Sequence, residues 1–399
     1  MADRGVKPTH HRTIRPVIAS RLIDWQRRHG RHDLPWQGTR DAYRIWLSEV
    51  MLQQTQVGTV VPYYLRFVAR FPDLRSLAAA DPDEVLALWS GLGYYSRARN
   101  LQRCAREVVE RYGGVFPGDA RRLAALPGIG RSTAAAIAVF GFAQRAAILD
   151  GNVRRVLCRH AGVRGYPGVR AVENELWRIA ESELPEADVE AYTQGLMDLG
   201  AMLCVRTRPA CGECPLAADC SAHREGSVAG LPTPRPTRIV PVRRCAMYVI
   251  RRGDEVLLER RPPSGIWGGL WSLPERSLPA GGFDAGSASG DVPGDAPDSP
   301  PDDAALADDI ARRFGLRVTQ PQALAPFDHA FTHFRLRVEP VACELLAASA
   351  AADGAGLIWL PLADVDEAAL PRPVKALLAA LPLRSPGAAA GTGGSARGA

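Results

Sequence analysis

At 399 residues the chain is long enough for two or three domains with separate cores, and its 46% hydrophobic share is that of a globular protein. No uninterrupted apolar run approaches the roughly 20 residues that span a bilayer, and the first dozen residues are polar and basic, so a soluble, unsecreted protein is expected. The net charge of +6 is unevenly held: residues 1–225 carry 31 Lys+Arg against 24 Asp+Glu, or +7, and the remainder 18 against 19, or −1, so a polyanionic partner would belong to the first part.

Residues 1–13 read as a disordered tail. From Pro16 to about Arg28 the positions Val17, Ile18, Leu22, Ile23 and Trp25 keep a helical spacing. The loop GRHDLPWQGTRD ends that helix, and YRIWLSEVMLQQTQ begins another near Tyr43. Further helical patterns cover roughly 57–70, 83–90, 96–112, 119–125, 131–143, 152–162, 170–184 and 188–203, so residues 14–225 are predicted all-α. A Pro-rich connector at 226–242 should be extended and stiff. Alternating strands follow, CAMYVIRR and EVLLERR, joined at Gly253-Asp254. The Gly/Pro/Ser/Asp-rich insert at 280–303 reads as a disordered loop. A helix near 304–314, strands near 333–345 and 356–360 and a helix near 371–380 complete an α+β domain over 243–383, and 384–399 is a low-complexity tail.

Three stretches carry chemistry. LPGIGRSTAAAIAVFGFAQRAAILDGNV, from Leu126 to Val153, begins as a glycine hairpin feeding an Ala-rich helix. Gly128 and Gly130 can take φ > 0 and leave backbone N–H groups uncovered, a phosphate site that needs no side-chain charge. About one helix length on stands Asp150, a carboxylate beside Ile148 and Leu149. In the second helix, Glu49 lies beside the apolar stripe of Trp46, Val50 and Gln53 or Gln54, where partial desolvation would raise its pKa toward that of a general acid. Cys204-x6-Cys211-x2-Cys214-x5-Cys220 is too compact for the usual paired zinc spacing, and in an unsecreted protein it favours a metal over disulfides; spacing alone leaves zinc and an iron–sulfur cluster both open.

WLSEVMLQQTQV, GLGYYSRARNL, LPGIGRSTA, ILDGNV and the cysteine spacing together resemble the helix-hairpin-helix DNA glycosylases, and within them the MutY family of adenine glycosylases, over nearly all of Val17 to Leu381. The resemblance implies a six-helix barrel domain and a cluster domain, followed by a Nudix-like α+β domain. It implies a 4Fe-4S cluster held by Cys204, Cys211, Cys214 and Cys220 in the loop 204–220. It further implies that Glu49 protonates adenine, that Asp150 stabilises the oxocarbenium-like sugar, and that Asn152 and Ser132 orient water and carboxylates. Double-stranded DNA bearing adenine opposite 8-oxoguanine or guanine would be the partner, with Gly128 and Gly130 on its phosphates. Gln53, Gln54, Thr55, Leu92 and Tyr94 match residues that enter the duplex or contact the lesion, and Arg31 is placed on the same surface. FDHAFTHF at 327–334 looks like the lesion-sensing loop, with His329, Phe331, Thr332 and His333 carried over; Thr332 stands where Ser is common in the family. The enzyme would be a cytoplasmic, nucleoid-associated bacterial monomer.

Where the endonuclease III branch has a lysine that attacks the sugar, this sequence has Ser132, and Lys7 and Lys375 are the chain's only lysines. A monofunctional glycosylase is therefore expected over an endonuclease III-like lyase acting on oxidised pyrimidines. A non-catalytic lesion-binding protein would have to lack Glu49 or Asp150, and both are present. A Nudix hydrolase needs a glutamate-bearing helix, and LADDIARRFGL has none.

Overall fold

Helix periodicity becomes a helical first unit almost segment for segment. The computed structural model describes residues 17–237, 240–279, 303–348 and 356–381. Its chain divides into one unit of residues 1–85 with 96–237 and a second of 86–95 with 238–399. The expected tails at 1–13 and 384–399, and the insert at 280–303 apart from its last residue, lie outside the described residues.

The helices of the first unit are α1 (Val17–His29), α2 (Ala42–Leu52), α3 (Val57–Arg70), α4 (Leu74–Ala79), α5 (Pro82–Trp89, its end grouped with the second unit), α6 (Ser96–Tyr112), α7 (Ala120–Ala124), α8 (Arg131–Phe142), α9 (Gly151–Ala161), α10 (Arg170–Ser182), α11 (Val189–Met202) and α12 (Ser221–Arg224). One core gathers the apolar faces of α1, α8, α9, α10 and α11, with Leu22, Ala135, Val153, Leu176 and Leu199 among its fully enclosed side chains. That core fixes the start of α8 against the start of α9, which are the two ends of the Leu126–Val153 stretch. No helix among the described residues is long and apolar enough to cross a membrane.

Two local features differ from the sequence reading. Helix α2 stops at Leu52 instead of running through Gln56: Gln53 leaves helical geometry and Gln54 sits at φ +58. A buried guanidinium ends it there, as described below. Helix α4 shows no periodicity in so short a segment, and a reciprocal cap between Asp73 and Ser76 starts it.

The second unit is built on a sheet of order β3-β2-β1-β8-β5, with β4 on β1, β6 and β7 on β8, and β9 on β2. Its strands are β1 (Val242–Arg252), β2 (Glu255–Arg260), β3 (Trp271–Ser272), β4 (Glu275–Leu278), β5 (Leu316–Val318), β6 (Gln322–Ala323), β7 (Phe327–Ala330), β8 (Arg335–Ala348) and β9 (Leu357–Pro361). The central pair, β1 and β8, is parallel in register from Val242↔Arg335 to Arg251↔Glu344. Helix α13 (Asp303–Phe314) buries Leu306, Ile310 and Phe314 on Tyr248, Ile250 and Val341, and α14 (Arg372–Ala379) is the last helix among the described residues. The short strands β3, β4, β6 and β7 escaped the sequence because two to four residues are too few to display alternation.

Candidate active site and cysteine loop

The hairpin at Leu126–Arg131 takes its sharp bend at Gly128, φ +75, where a Cβ would come within 2.7 Å of the Asn100 Cβ. Only glycine satisfies both demands. Gly130 corrects the expectation: it is extended, at φ −84, and a Cβ on it would meet nothing within 4 Å. Its use is openness rather than backbone freedom. As the N-cap of α8 it supplies no side-chain cap, so the first-turn N–H groups and the helix's positive end face an uncluttered surface.

Ser132, in that first turn, accepts from the Leu149 N–H at 3.0 Å and so ties α8 to the residue preceding Asp150. Asp150 is the N-cap of α9: its Oδ1 accepts from the Val153 N–H at 2.7 Å and its Oδ2 from the Asn152 amide at 3.2 Å. Burial raises its pKa, against the hydrogen bonds from Val153 and Asn152 and the charge of Arg155. The hydrogen bonds that favour a standing carboxylate are there. Glu49 is pushed from its ordinary 4.5 up to about 8, first by burial and then by the facing Asp150. The two carboxyls are thus coupled across one cavity of ≈1300 Å³ that also takes in Asn152, Ser48 and Gln194.

Arg31 lines this same cavity, bonded through its backbone N–H (3.0 Å), Nε (2.7 Å) and Nη2 (2.7 Å) to Asp198, a carboxylate with no exposed surface. Asp198 also accepts from Gln194 at 2.9 Å. The structure therefore puts Arg31 in the wall of the carboxylate pocket.

The end of α2 is held from α6. Arg97, buried, donates through Nη1 to the carbonyls of Val50 (3.0 Å), Met51 (2.7 Å) and Gln53 (2.6 Å), and through Nη2 to Thr55 Oγ1 (3.2 Å). These are the carbonyls a helix leaves unpaired at its C-terminus, and a guanidinium satisfies them while opposing the dipole. Gln53 also reaches Thr133 Oγ1 at 3.4 Å, and Gln54 is exposed. Arg97 lies inside the stretch quoted above, but nothing in the sequence marks it as buried.

From Asn152 a second arginine leads to the cysteines. Arg155 donates to Asn152 Oδ1 (2.9 Å), to the Gly200 carbonyl (2.5 Å) and to the Cys204 carbonyl (2.7 Å). The close approach depends on Gly200, where a Cβ would stand 2.6 Å from the Asn152 Cβ. Arg159 bonds Cys204 Sγ at 3.3 Å and the Val205 carbonyl at 2.7 Å. Cys204, Cys211, Cys214 and Cys220 border one apolar cavity, while no three metal-ligating side chains among the described residues converge on a single-ion site. Four soft thiols around a common apolar space fit a thiolate-bound metal centre, an iron–sulfur cluster included.

In the second unit, FDHAFTHF forms β7, a turn and the entry to β8, with Phe327↔Val338 through Ala330↔Arg335 in register and the Phe331 N–H bonded to the Phe334 carbonyl at 2.9 Å. Thr332 and His333 are exposed at its tip, and burial lowers the His329 pKa. Tyr94, at φ +49 and 46% exposed, approaches Thr332 Oγ1 at 3.4 Å through its hydroxyl. Leu92 is only 6% exposed, so in this arrangement Tyr94 offers surface and Leu92 does not. Three carboxylates of the Nudix-like region are bound to arginines: Asp309 to Arg312, Glu259 to Arg313 and Glu275 to Arg261.

Residues 47–182 match the HhH-GPD superfamily of base excision DNA repair proteins, and residues 245–380 match the NUDIX domain family. The adenine DNA glycosylase of Buchnera aphidicola subsp. Acyrthosiphon pisum is 32% identical over 363 residues, covering 91% of this chain and 97% of the relative. That of Mus musculus is 34% identical over 412 residues, with 90% and 76% covered. A solved thermostable thymine-DNA glycosylase is 30% identical at a TM-score of 0.48, covering 52% of this chain and 96% of its own.

Proposed function

Because the chain belongs to the adenine DNA glycosylase family, we propose that it hydrolyses the N-glycosidic bond of adenine mispaired with 8-oxoguanine or guanine, using Glu49 as general acid and Asp150 as the carboxylate that stabilises the sugar. The observation that carries this reading is the coupled pair at one cavity, with Glu49 lifted to about 8 by burial and by Asp150. At neutral pH such a carboxyl still holds its proton, and adenine is a poor leaving group until one is delivered. The adenine must leave the stack to reach the cavity, since the glycosidic bond is inaccessible within the duplex.

Asp150 has the opposite task. Donors on both its oxygens favour the carboxylate, which faces the oxocarbenium-like carbon as the bond breaks or bonds to it transiently. Asn152, fixed by Arg155, and Ser132, fixed on the Leu149 N–H, hold the surroundings of that carboxylate and of the attacking water. Serine offers no amine for a Schiff base, which supports base removal without strand cleavage. The open hairpin at Gly128–Gly130 takes a DNA phosphate. Cys204, Cys211, Cys214 and Cys220 would hold a 4Fe-4S cluster, whose contribution is to brace this part of the fold for DNA. The exposed tip Thr332-His333, with Tyr94, reads the base opposite adenine.

Single-turnover cleavage of duplexes with A opposite 8-oxoguanine, A opposite G and thymine glycol, alongside Glu49→Gln, tests the assignment. Cleavage of the two adenine duplexes only, lost in Glu49→Gln, is expected; equal wild-type and mutant rates would sink it.

A further inference from the structure

We propose that Trp267 is the positioning residue that holds the 329–334 turn in the form that separates 8-oxoguanine from guanine, an inference that rests on the reading of that turn given above. Trp267 sits at φ +52, between Gly265 at +90 and Gly269 at +78. A bulky side chain in left-handed backbone is strained and persists only where its surroundings over-determine it.

The surroundings do so here. The Gly269 N–H bonds the Pro262 carbonyl at 3.0 Å, the Leu270 N–H bonds the Trp267 carbonyl at 3.0 Å, and the Arg261 N–H bonds the Leu270 carbonyl at 2.8 Å. Gly268 passes so close that a Cβ would stand 2.8 Å from the Pro263 carbonyl oxygen. The strained turn delivers the indole, 7% exposed, against two of the sensing residues: its ring centroid lies 5.7 Å from His329 and 5.5 Å from Phe331. His329 and Phe331 meet edge to face at 4.6 Å, and Phe331 stacks on Phe334 at 4.6 Å. Arg243 covers Phe334 at 4.5 Å, and Arg261 lies 5.9 Å from the indole.

Phe331 thus meets Trp267, His329 and Phe334 in one aromatic cluster, while the next two residues, Thr332 and His333, are exposed as the polar tip. His329, Phe331 and Phe334 belong to the turn itself. Trp267 comes from a separate, rigid loop and sets where the cluster stands.

The full-length protein is compared with Trp267→Leu, Trp267→Phe and Trp267→Gly, the last because glycine accepts φ +52 without strain. Single-turnover rates are measured for A opposite 8-oxoguanine and A opposite G, affinities for both duplexes on the Glu49→Gln background, and unfolding midpoints for every variant. Loss of two aromatic contacts should cut the 8-oxoguanine preference roughly five- to tenfold in Trp267→Leu and Trp267→Gly, with A opposite G within about twofold of wild type and Trp267→Phe nearly restored. A variant that lowers the midpoint and weakens both duplexes equally would assign Trp267 to packing alone and overturn the proposal. An unchanged preference in Trp267→Leu, when Thr332→Ala with His333→Ala abolishes it, would also overturn the proposal and leave the reading of the turn standing. If neither set alters the preference, both fall.

Discussion

Replacing Glu49 by glutamine should stabilise the protein while destroying its activity, and the stabilisation should depend on pH. The folded protein holds this carboxyl at about 8 against an ordinary 4.5. Between those values the folded state binds a proton that the unfolded chain has released, so stability falls as pH rises from about 4.5 to about 8 and is flat beyond. At pH 7 the unfolded carboxylate is about 2.5 pH units past its midpoint, a penalty of at most roughly 3 kcal/mol at ~1.4 kcal/mol per unit. Glutamine keeps the shape and cannot ionise, so it does not carry the penalty. For a helical unit of this size the difference corresponds to a melting midpoint roughly 6–12 °C higher in Glu49→Gln at pH 7, shrinking to about 1–3 °C at pH 5. Thermal unfolding of both proteins across pH 5–8, followed by far-ultraviolet circular dichroism, measures it. A gap that does not change with pH would refute the buried-acid argument. The same proton has a kinetic signature: kcat/KM should drop about tenfold per unit above pH 8, as the acid is lost.

Asp150→Asn keeps an N-cap for α9 and removes a charge that burial disfavours, so cleavage should fall at least about 100-fold with the melting midpoint at neutral pH kept or raised; a large loss of stability would mean the cap, not the charge, is what the residue supplies. Gly200→Ala forces the Asn152 backbone aside and should slow single-turnover cleavage at least about tenfold in protein that still binds duplex; a rate equal to wild type would show that α9 tolerates the shift. Ser132→Lys should gain a borohydride-trappable adduct on abasic DNA, which the wild type lacks; strong trapping of wild type would overturn the monofunctional assignment. Cys214→Ser should abolish the broad visible absorption of iron–thiolate charge transfer, and retention of that absorption would remove Cys214 from the ligand set.

Helix periodicity, the Gly128 turn, the two carboxylates and the four cysteines were legible because each is a property of residue type at a fixed spacing. What the sequence could not convey were relations between distant residues. Arg97 looks like any helix-surface arginine until the end of α2 is placed beside it, and its burial is why α2 stops at Leu52. That Arg31 lines the carboxylate cavity was not legible because its partner, Asp198, lies 167 positions away. The cysteine spacing left zinc and iron–sulfur open; the shared cavity, which no linear pattern encodes, brings the four thiols together. Leu92 was placed among the duplex-contacting residues by the resemblance alone, and its burial is visible only in the fold.

Arg97 carries a consequence for genetics. Its guanidinium holds the terminal carbonyls of the helix that bears Glu49, so a substitution there would displace the acid by letting the last turn fray. In a mutator screen such an allele would score with the active-site losses, though Arg97 contributes no group to the chemistry. Suppressors would be sought in vain around the carboxylates and found along α2, in changes that close its C-terminus by other means.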